Sequence, residues 1–143
     1  MTIHLRRFET TDTEAVKALF LRSWRDLCER LKLDASKLPA DSWAIPATWV
    51  AIRDNEIVGF TYLRDRLVDK LYVDPKAQRT GVGTALLAKA REEGANQLWV
   101  DKENTWGRAF YEKNGWAGTG VDAPGTKFPI APMLEYEFSV NHG

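Results

Sequence analysis

The chain has 143 residues, the size of one typical domain, and its 20 basic residues balance its 20 acidic ones. Balanced charge disfavours a nucleic-acid or anionic-membrane partner, no apolar run approaches the ~18 residues that span a bilayer, and the N-terminus lacks the apolar region of a signal peptide. The single Cys28 cannot form an internal disulfide, and with two distant histidines it offers no metal-ligand cluster. We therefore expect one cytoplasmic domain over residues 1–143, without a metal and without nucleic-acid or membrane partners.

The N-terminal third predicts a strand, a helix and a loop. Residues 3–8 alternate weakly as a first strand, and residues 16–31 carry apolar side chains at helical spacing. Trp24 lies at the edge of the helical stripe, where both a core position and a pocket wall fit the pattern. Residues 33–46 contain two prolines and Trp43 and predict a loop of the kind that often carries specificity.

Three successive strands are predicted next. Residues 49–53 and 57–63 are rich in β-forming side chains, and the turn residues between them predict a hairpin. The third strand, Leu67 to Val73, ends at Asp74-Pro75, because proline cannot donate to a strand ladder.

A glycine-containing turn then opens a helix. From Val82 to about Gly94 the apolar spacing is helical, and Gly81 and Gly83 stand at its start. The first amides of a helix have no internal partners and carry the positive end of its dipole, so they suit a phosphate group. The turn lacks the Gly-Lys-Ser/Thr of a P-loop, and Leu86 stands where a Rossmann fingerprint needs its third glycine.

The C-terminal part predicts a strand that follows the helix crossover and runs parallel to the Leu67–Val73 strand, then a short helix, a strand, a loop and a half-buried last strand. These elements are residues 97–100, 105–113, 116–121, 122–132 and 133–140.

Two motifs in this order resemble the GNAT superfamily of N-acetyltransferases. The first, Gln78-Arg79-Thr80-Gly81-Val82-Gly83 after Leu-Tyr-Val-Asp-Pro, resembles the acyl-CoA pyrophosphate loop Gln-x-x-Gly-x-Gly. The second, Asn104 followed by Phe110-Tyr111 and Gly115-Trp116, resembles the family pattern that ends in Phe-Tyr-x-x-x-Gly-Phe, with Trp116 in place of the last Phe. Motifs and element order together cover about residues 49–116.

The resemblance implies a fold and an activity. The expected fold is α/β (α+β): a mixed, mostly antiparallel central sheet of about six to seven strands flanked by about four helices. The expected reaction moves an acetyl group from acetyl-CoA, a cosubstrate, to a primary amine of a small molecule or peptide by direct attack in a ternary complex. A homodimer would be permitted by exposed aromatic side chains. The alternative is a non-catalytic acyl-CoA-binding domain with a sensor or regulatory role.

The resemblance also implies a binding site. Acetyl-CoA is expected between the strand Leu67–Val73 and the strand at residues 97–100, with its pantetheine amides paired to the backbone of Leu71 and Val73. Trp24 and Trp43 are the candidate acceptor-binding residues. The candidate cofactor-binding residues are Leu71, Tyr72, Val73, Gln78, Arg79, Thr80, Gly81, Val82, Gly83, Thr84, Asn104 and Tyr111.

Two catalytic roles follow from the chemistry of amide formation. The leaving thiolate needs a proton, and the hydroxyl of Tyr111, with an ordinary pKa of about 10, is the expected donor, although the same ring could simply pack. Asp69 is the expected base for the incoming amine, because alternation along a strand places it on the face of Leu71 and Val73. Glu103 and Glu135 are competing bases. Cys28 has no activating neighbours in the sequence and is better explained as a buried hydrophobe than as a nucleophile.

Overall fold

Residues 2–34, 36, 47–123 and 133–138 are described by the computed structural model, and they divide into two compact units, Met1–Ala95 and Asn96–Gly143. Trp43 and most of the loop around it lie outside the described residues. The expectation of one domain over residues 1–143 stays a prediction.

Among its described residues, the first unit contains four strands and two α-helices. Its strands follow one another in the order β1-β2-β3-β4, and every neighbouring pair is antiparallel. The elements in chain order are β1 (His4–Arg7), α1 (Thr13–Leu31), β2 (Thr48–Arg53), β3 (Glu56–Arg64), β4 (Leu67–Val73) and α2 (Val82–Glu92).

The two helices of this unit cover opposite faces of its strands. Val50 packs in one apolar cluster with α1, whereas the next residue, Ala51, packs in another with α2, because consecutive side chains of a strand point to opposite faces. Gly59 of β3 has a packing reason, since a Cβ there would lie 2.9 Å from Leu86 Cδ1 of α2. Glycine thus lets α2, and with it the predicted phosphate turn, lie close to the strands.

Contacts of the Asp12 side chain hold the start of α1 against β1. Asp12 is buried, and its carboxylate accepts two hydrogen bonds from Arg6, at 2.7 and 2.9 Å, and one from the Glu9 amide at 2.8 Å. Its side chain does not cap α1. These contacts join the end of β1 to the start of α1.

The described part of the second unit consists of three strands and one helix. Strand β7 (Met133–Phe138) pairs antiparallel with β5 (Gln97–Asp101) and with β6 (Trp116–Ala123), and α3 (Thr105–Lys113) precedes β6. Trp116 and Tyr136 are buried at the centre of this unit, and the Trp116 ring lies against Phe138 with centroids 5.7 Å apart.

The predicted fold class is confirmed: the described residues form seven strands, and the neighbouring pairs within each unit are antiparallel. The expectation of about four helices is slightly too high, since the described part of the chain contains three α-helices. None of the described helices is long and apolar enough to span a membrane.

Candidate active site

The turn before α2 has the geometry of an anion site. Gly81 is in the left-handed region, with φ of +91°, and the first helical hydrogen bond runs from the Ala85 amide to the Gly81 carbonyl at 3.0 Å. The amides of Val82, Gly83 and Thr84 precede Ala85, the first helical donor, so they have no acceptor within the helix and are available to a ligand. A Cβ at Gly81 would meet no atom within 4 Å among the described residues, so the space beside this turn is open.

Two arginines from distant parts of the chain support the turn. Arg53 Nη1 donates to Thr80 Oγ1 at 2.9 Å, and Thr80 in turn donates to the carbonyl of Ala77. Arg30 of α1 donates to Gln78 Oε1 at 3.2 Å. Both guanidinium groups bring positive charge to a turn suited to phosphate. Sequence reasoning missed Arg30 and Arg53, because neither lies in a motif.

Helix α1 also fixes the residues that lead into this turn. Ser23 Oγ donates to the Val73 carbonyl at 3.1 Å, and Gln78 Nε2 reaches the same oxygen at 3.4 Å. Arg22 pairs with the buried Asp74 at 2.7 Å. The end of β4 and the start of the turn are thus tied to one helix.

The backbone of β4 alternates in a way that matters for a ligand. The Asp74 amide donates to the Val58 carbonyl at 2.8 Å. Because residues of an antiparallel pair alternate between bonded and non-bonded positions, Val73 and Leu71 direct their N–H and C=O groups away from β3. A pantetheine chain that paired with these two residues would need this orientation. The Tyr72 side chain instead packs against Phe20, with centroids 5.0 Å apart.

Asp69 lies at a β-bulge. Tyr62 pairs with Lys70 and Leu63 pairs with Val68, which leaves Asp69 as the extra residue of β4. Its carboxylate lies 3.0 Å from Lys70 Nζ, although consecutive side chains of a regular strand point to opposite faces. The alternation that placed Asp69 on the face of Leu71 and Val73 is therefore broken at this residue.

The ion pairs of Asp69 also change its strength as a base. Burial acts to raise its pKa, but hydrogen bonds from Arg64 and Lys70, each at 3.0 Å, outweigh burial and hold the pKa below its ordinary value. Asp69 is thus ionised and a weaker base than a free aspartate. Of its competitors, Glu135 accepts hydrogen bonds from Gln97 at 2.6 Å and Thr119 at 2.7 Å. Glu103 is exposed.

Asn104 caps α3 in the second unit. Its Oδ1 accepts a hydrogen bond from the Gly107 amide at 2.9 Å. A Cβ at Gly107 would lie 2.5 Å from Asn104 Nδ2, so glycine is needed for the cap to form. Gly107 therefore belongs to a tight, capped first turn of α3.

Tyr111 is half-buried on α3, with its ring against Phe110 and Tyr136 at centroid distances of 5.2 and 6.3 Å. Desolvation raises its pKa to about 12. Its phenol therefore stays protonated throughout the neutral range and can act as a hydrogen-bond donor.

The remaining candidate site residues either lie in the core or fall outside the described residues. Trp24 is 3% exposed and packs in the core of the first unit, and its proposed acceptor role stays a prediction. Trp43 lies outside the described residues. Cys28 is buried, and burial raises the pKa of its thiol, so it is a poor nucleophile. The described part of the chain holds no group of three or more His, Cys, Asp or Glu side chains placed to bind a metal.

Comparison with known proteins gives one consistent family. The acetyltransferase (GNAT) domain family matches residues 45–117. The peptidyl-lysine N-acetyltransferase YjaB of Escherichia coli is 30% identical over 142 residues, which cover 91% of this chain and 95% of the relative.

Solved structures agree with this match. The solution structure of apo-form YjaB from Escherichia coli superposes with a TM-score of 0.71 at 26% identity, over 96% of this chain and 98% of the other. The PaiA N-acetyltransferase of Thermoplasma acidophilum, crystallised in complex with coenzyme A, has the same fold, with a TM-score of 0.67 at 19% identity, over 97% of this chain and 100% of the other. With its glycine turn and its Asn-capped helix, the chain therefore belongs to the GNAT family, as an N-acetyltransferase that takes its acetyl group from acetyl-CoA.

Proposed function

We propose that this enzyme acetylates the ε-amino group of lysine side chains in peptides or proteins. The observation that carries the proposal is the 30% identity to a peptidyl-lysine N-acetyltransferase across 95% of that relative's length. The family match covers residues 45–117, which include both the Gln78–Gly83 motif and Tyr111.

The first unit is proposed to bind the donor. Backbone amides from Gln78 to Thr84 would bind the pyrophosphate of acetyl-CoA, with charge from Arg30 and Arg53 nearby. The backbone of Leu71 and Val73 would pair with the pantetheine amides, and Tyr72 would contribute backbone only, since its side chain packs against Phe20. The amide of Val73 is the proposed donor to the oxyanion that forms at the thioester carbonyl.

Tyr111 is proposed to protonate the sulfur as the C–S bond breaks, and Asn104 to contact the pantetheine. An alkyl thiolate, whose conjugate acid has a pKa of about 8.5, is a weaker base than the phenoxide of a tyrosine with a pKa of about 12. We therefore expect a relay, in which the proton lost by the phenol is replaced by the proton that the nitrogen loses. The balance is then one proton moved from the amine to the sulfur, one C–N bond formed and one C–S bond broken.

Asp69 is proposed to assist the amine through a water molecule. Even at the ordinary aspartate pKa of about 4, direct transfer from a lysine ammonium of pKa about 10 is unfavourable by roughly 6 pKa units. The ionised carboxylate, held by Arg64 and Lys70, would instead accept a hydrogen bond from the amine and orient a water through which the proton of the ammonium group passes to bulk solvent.

A peptide assay tests the proposed acceptor. The enzyme is incubated with acetyl-CoA and an N-terminally blocked peptide that contains one lysine, and with the matched peptide in which arginine replaces that lysine. Release of free thiol with the lysine peptide alone, and one acetyl group on that lysine by mass spectrometry, would support the proposal. If both peptides are inert while a small-molecule amine releases thiol, the acceptor is not peptidyl lysine. If no amine releases thiol while acetyl-CoA binds, the domain is a non-catalytic acyl-CoA binder.

A further inference from the structure

Helix α3, which carries Tyr111, packs on its unit through side chains that are only partly buried. None of its nine residues is buried. The Asn104 cap and the bond from Asn114 Nδ2 to the Phe110 carbonyl, at 2.8 Å, stabilise the helix ends. Neither contact fixes the rotation of the helix about its own axis, so the direction of the Tyr111 side chain must depend on other contacts.

Tyr136 of β7 makes two such contacts. Its hydroxyl donates to Glu112 Oε2 at 2.5 Å and accepts from Arg108 Nε at 3.2 Å. Arg108 and Glu112 are four residues apart on α3 and therefore lie on the same helix face. One phenol thus binds two points of the helix one turn apart, which restricts both its rotation and its sliding.

The hydrogen bonds of the Tyr136 hydroxyl are charge-assisted and partly buried. Tyr136 is 2% exposed, and a hydrogen bond from a hydroxyl to a carboxylate is roughly twice as strong as one between neutral groups. Burial and the Glu112 contact raise the pKa of Tyr136, so its hydroxyl remains a donor at neutral pH. Arg108 is itself fixed by a second bond, from Nη1 to the Lys102 carbonyl at 3.2 Å.

The turn of α3 that Tyr136 holds in place includes Tyr111, the proposed proton donor. Tyr111 directly precedes Glu112, and its ring centroid lies 6.3 Å from that of Tyr136. We propose that Tyr136, through its hydroxyl bonds to Glu112 and Arg108, is a positioning residue that holds Tyr111 in its catalytic orientation. The proposal rests on the role proposed above for Tyr111.

Three single variants test the contact from both of its ends. Tyr136→Phe removes the hydroxyl and keeps the ring, and Glu112→Ala removes the acceptor at an exposed position where truncation leaves the core intact. Glu112→Gln keeps an acceptor oxygen and is the matched control. We expect kcat to fall roughly 10- to 100-fold in the first two, as for a displaced catalytic group, with little change in KM for acetyl-CoA. Glu112→Gln should retain most of the activity. A normal kcat for Glu112→Ala, or a Glu112→Gln variant as poor as Glu112→Ala, would overturn the proposal.

A double-mutant cycle with Tyr111→Phe tests this proposal separately from the proposed catalytic role of Tyr111. If Tyr136 acts through Tyr111, adding Tyr136→Phe to Tyr111→Phe should cost little further activity. If the two losses multiply to within about twofold, the residues act independently and the positioning role is wrong. If Tyr111→Phe alone is fully active, the role of Tyr111 fails first. A melting curve and the acetyl-CoA dissociation constant of each variant show whether a lower kcat reflects lost structure. If Tyr136→Phe loses activity because it unfolds while Glu112→Ala stays active, the proposal is also overturned.

Discussion

Replacing Gly81 with alanine should weaken acetyl-CoA binding in addition to destabilising the fold. Gly81 has φ of +91°, where an L-residue is strained by roughly 1–2 kcal/mol. Its Cβ would meet no described atom within 4 Å, so strain is the main cost to the folded protein. With acetyl-CoA bound, the same Cβ would occupy the space that the pyrophosphate needs. Loss of one hydrogen bond from a backbone amide to a charged phosphate costs about 1.5–3 kcal/mol of binding free energy, or roughly 10- to 150-fold in Kd.

Gly94, at the other end of α2, provides a matched control. It has φ of +97°, and a Cβ there also meets no described atom within 4 Å. Gly94→Ala should therefore lower the melting temperature by a similar amount, a few degrees for a chain of this size, and leave acetyl-CoA affinity unchanged. Isothermal titration calorimetry of both variants gives the comparison. Equal and undiminished affinities would refute the placement of the pyrophosphate at this turn.

Three further predictions concern other residues. Tyr111→Phe should lower kcat ~10²–10⁴-fold with acetyl-CoA binding nearly unchanged, and by less for a thioester with a more acidic thiol; equal losses for both thioesters would argue against proton donation. Asp12→Asn should cost about 1–3 kcal/mol of stability above pH 4, because Arg6 holds the pKa of Asp12 below its ordinary value and the ion pair is lost as the pH falls through that folded pKa. Urea unfolding at several pH values measures this loss, and a variant whose stability changes with pH as the wild type's does would contradict the prediction. Asp69→Asn should raise KM for a lysine peptide more than Kd for acetyl-CoA, and an unchanged KM would remove Asp69 from the acceptor side.

The fold and the glycine turn could be predicted because their signals are local. Strand runs, the change to helical spacing at Val82 and the Gln78–Gly83 motif each lie in one short stretch of sequence. The Asn104 motif was found in the same way, although its capping bond to Gly107 became clear only from the geometry.

The features that were missed depend on residues far apart in the chain. Arg30 lies 48 residues from Gln78, and Arg53 lies 27 residues from Thr80, so no local pattern indicates their contacts. The bulge at Asp69 arises from the register of β3 against β4, which the sequence of β4 alone does not determine. The alternation of β7 correctly indicated a half-buried strand but not that Tyr136 bonds to α3.

A pre-steady-state measurement tests direct acetyl transfer most sharply. The enzyme is mixed with acetyl-CoA alone while free thiol is followed, and a lysine peptide is added afterwards. With Cys28 buried and its thiol pKa raised, we predict no thiol burst and no acetylated enzyme by mass spectrometry until the peptide arrives, and then one thiol for each acetylated lysine. A burst of thiol equal to the enzyme concentration before any amine is present, together with an acetylated enzyme that then acetylates the peptide, would contradict direct attack within a ternary complex.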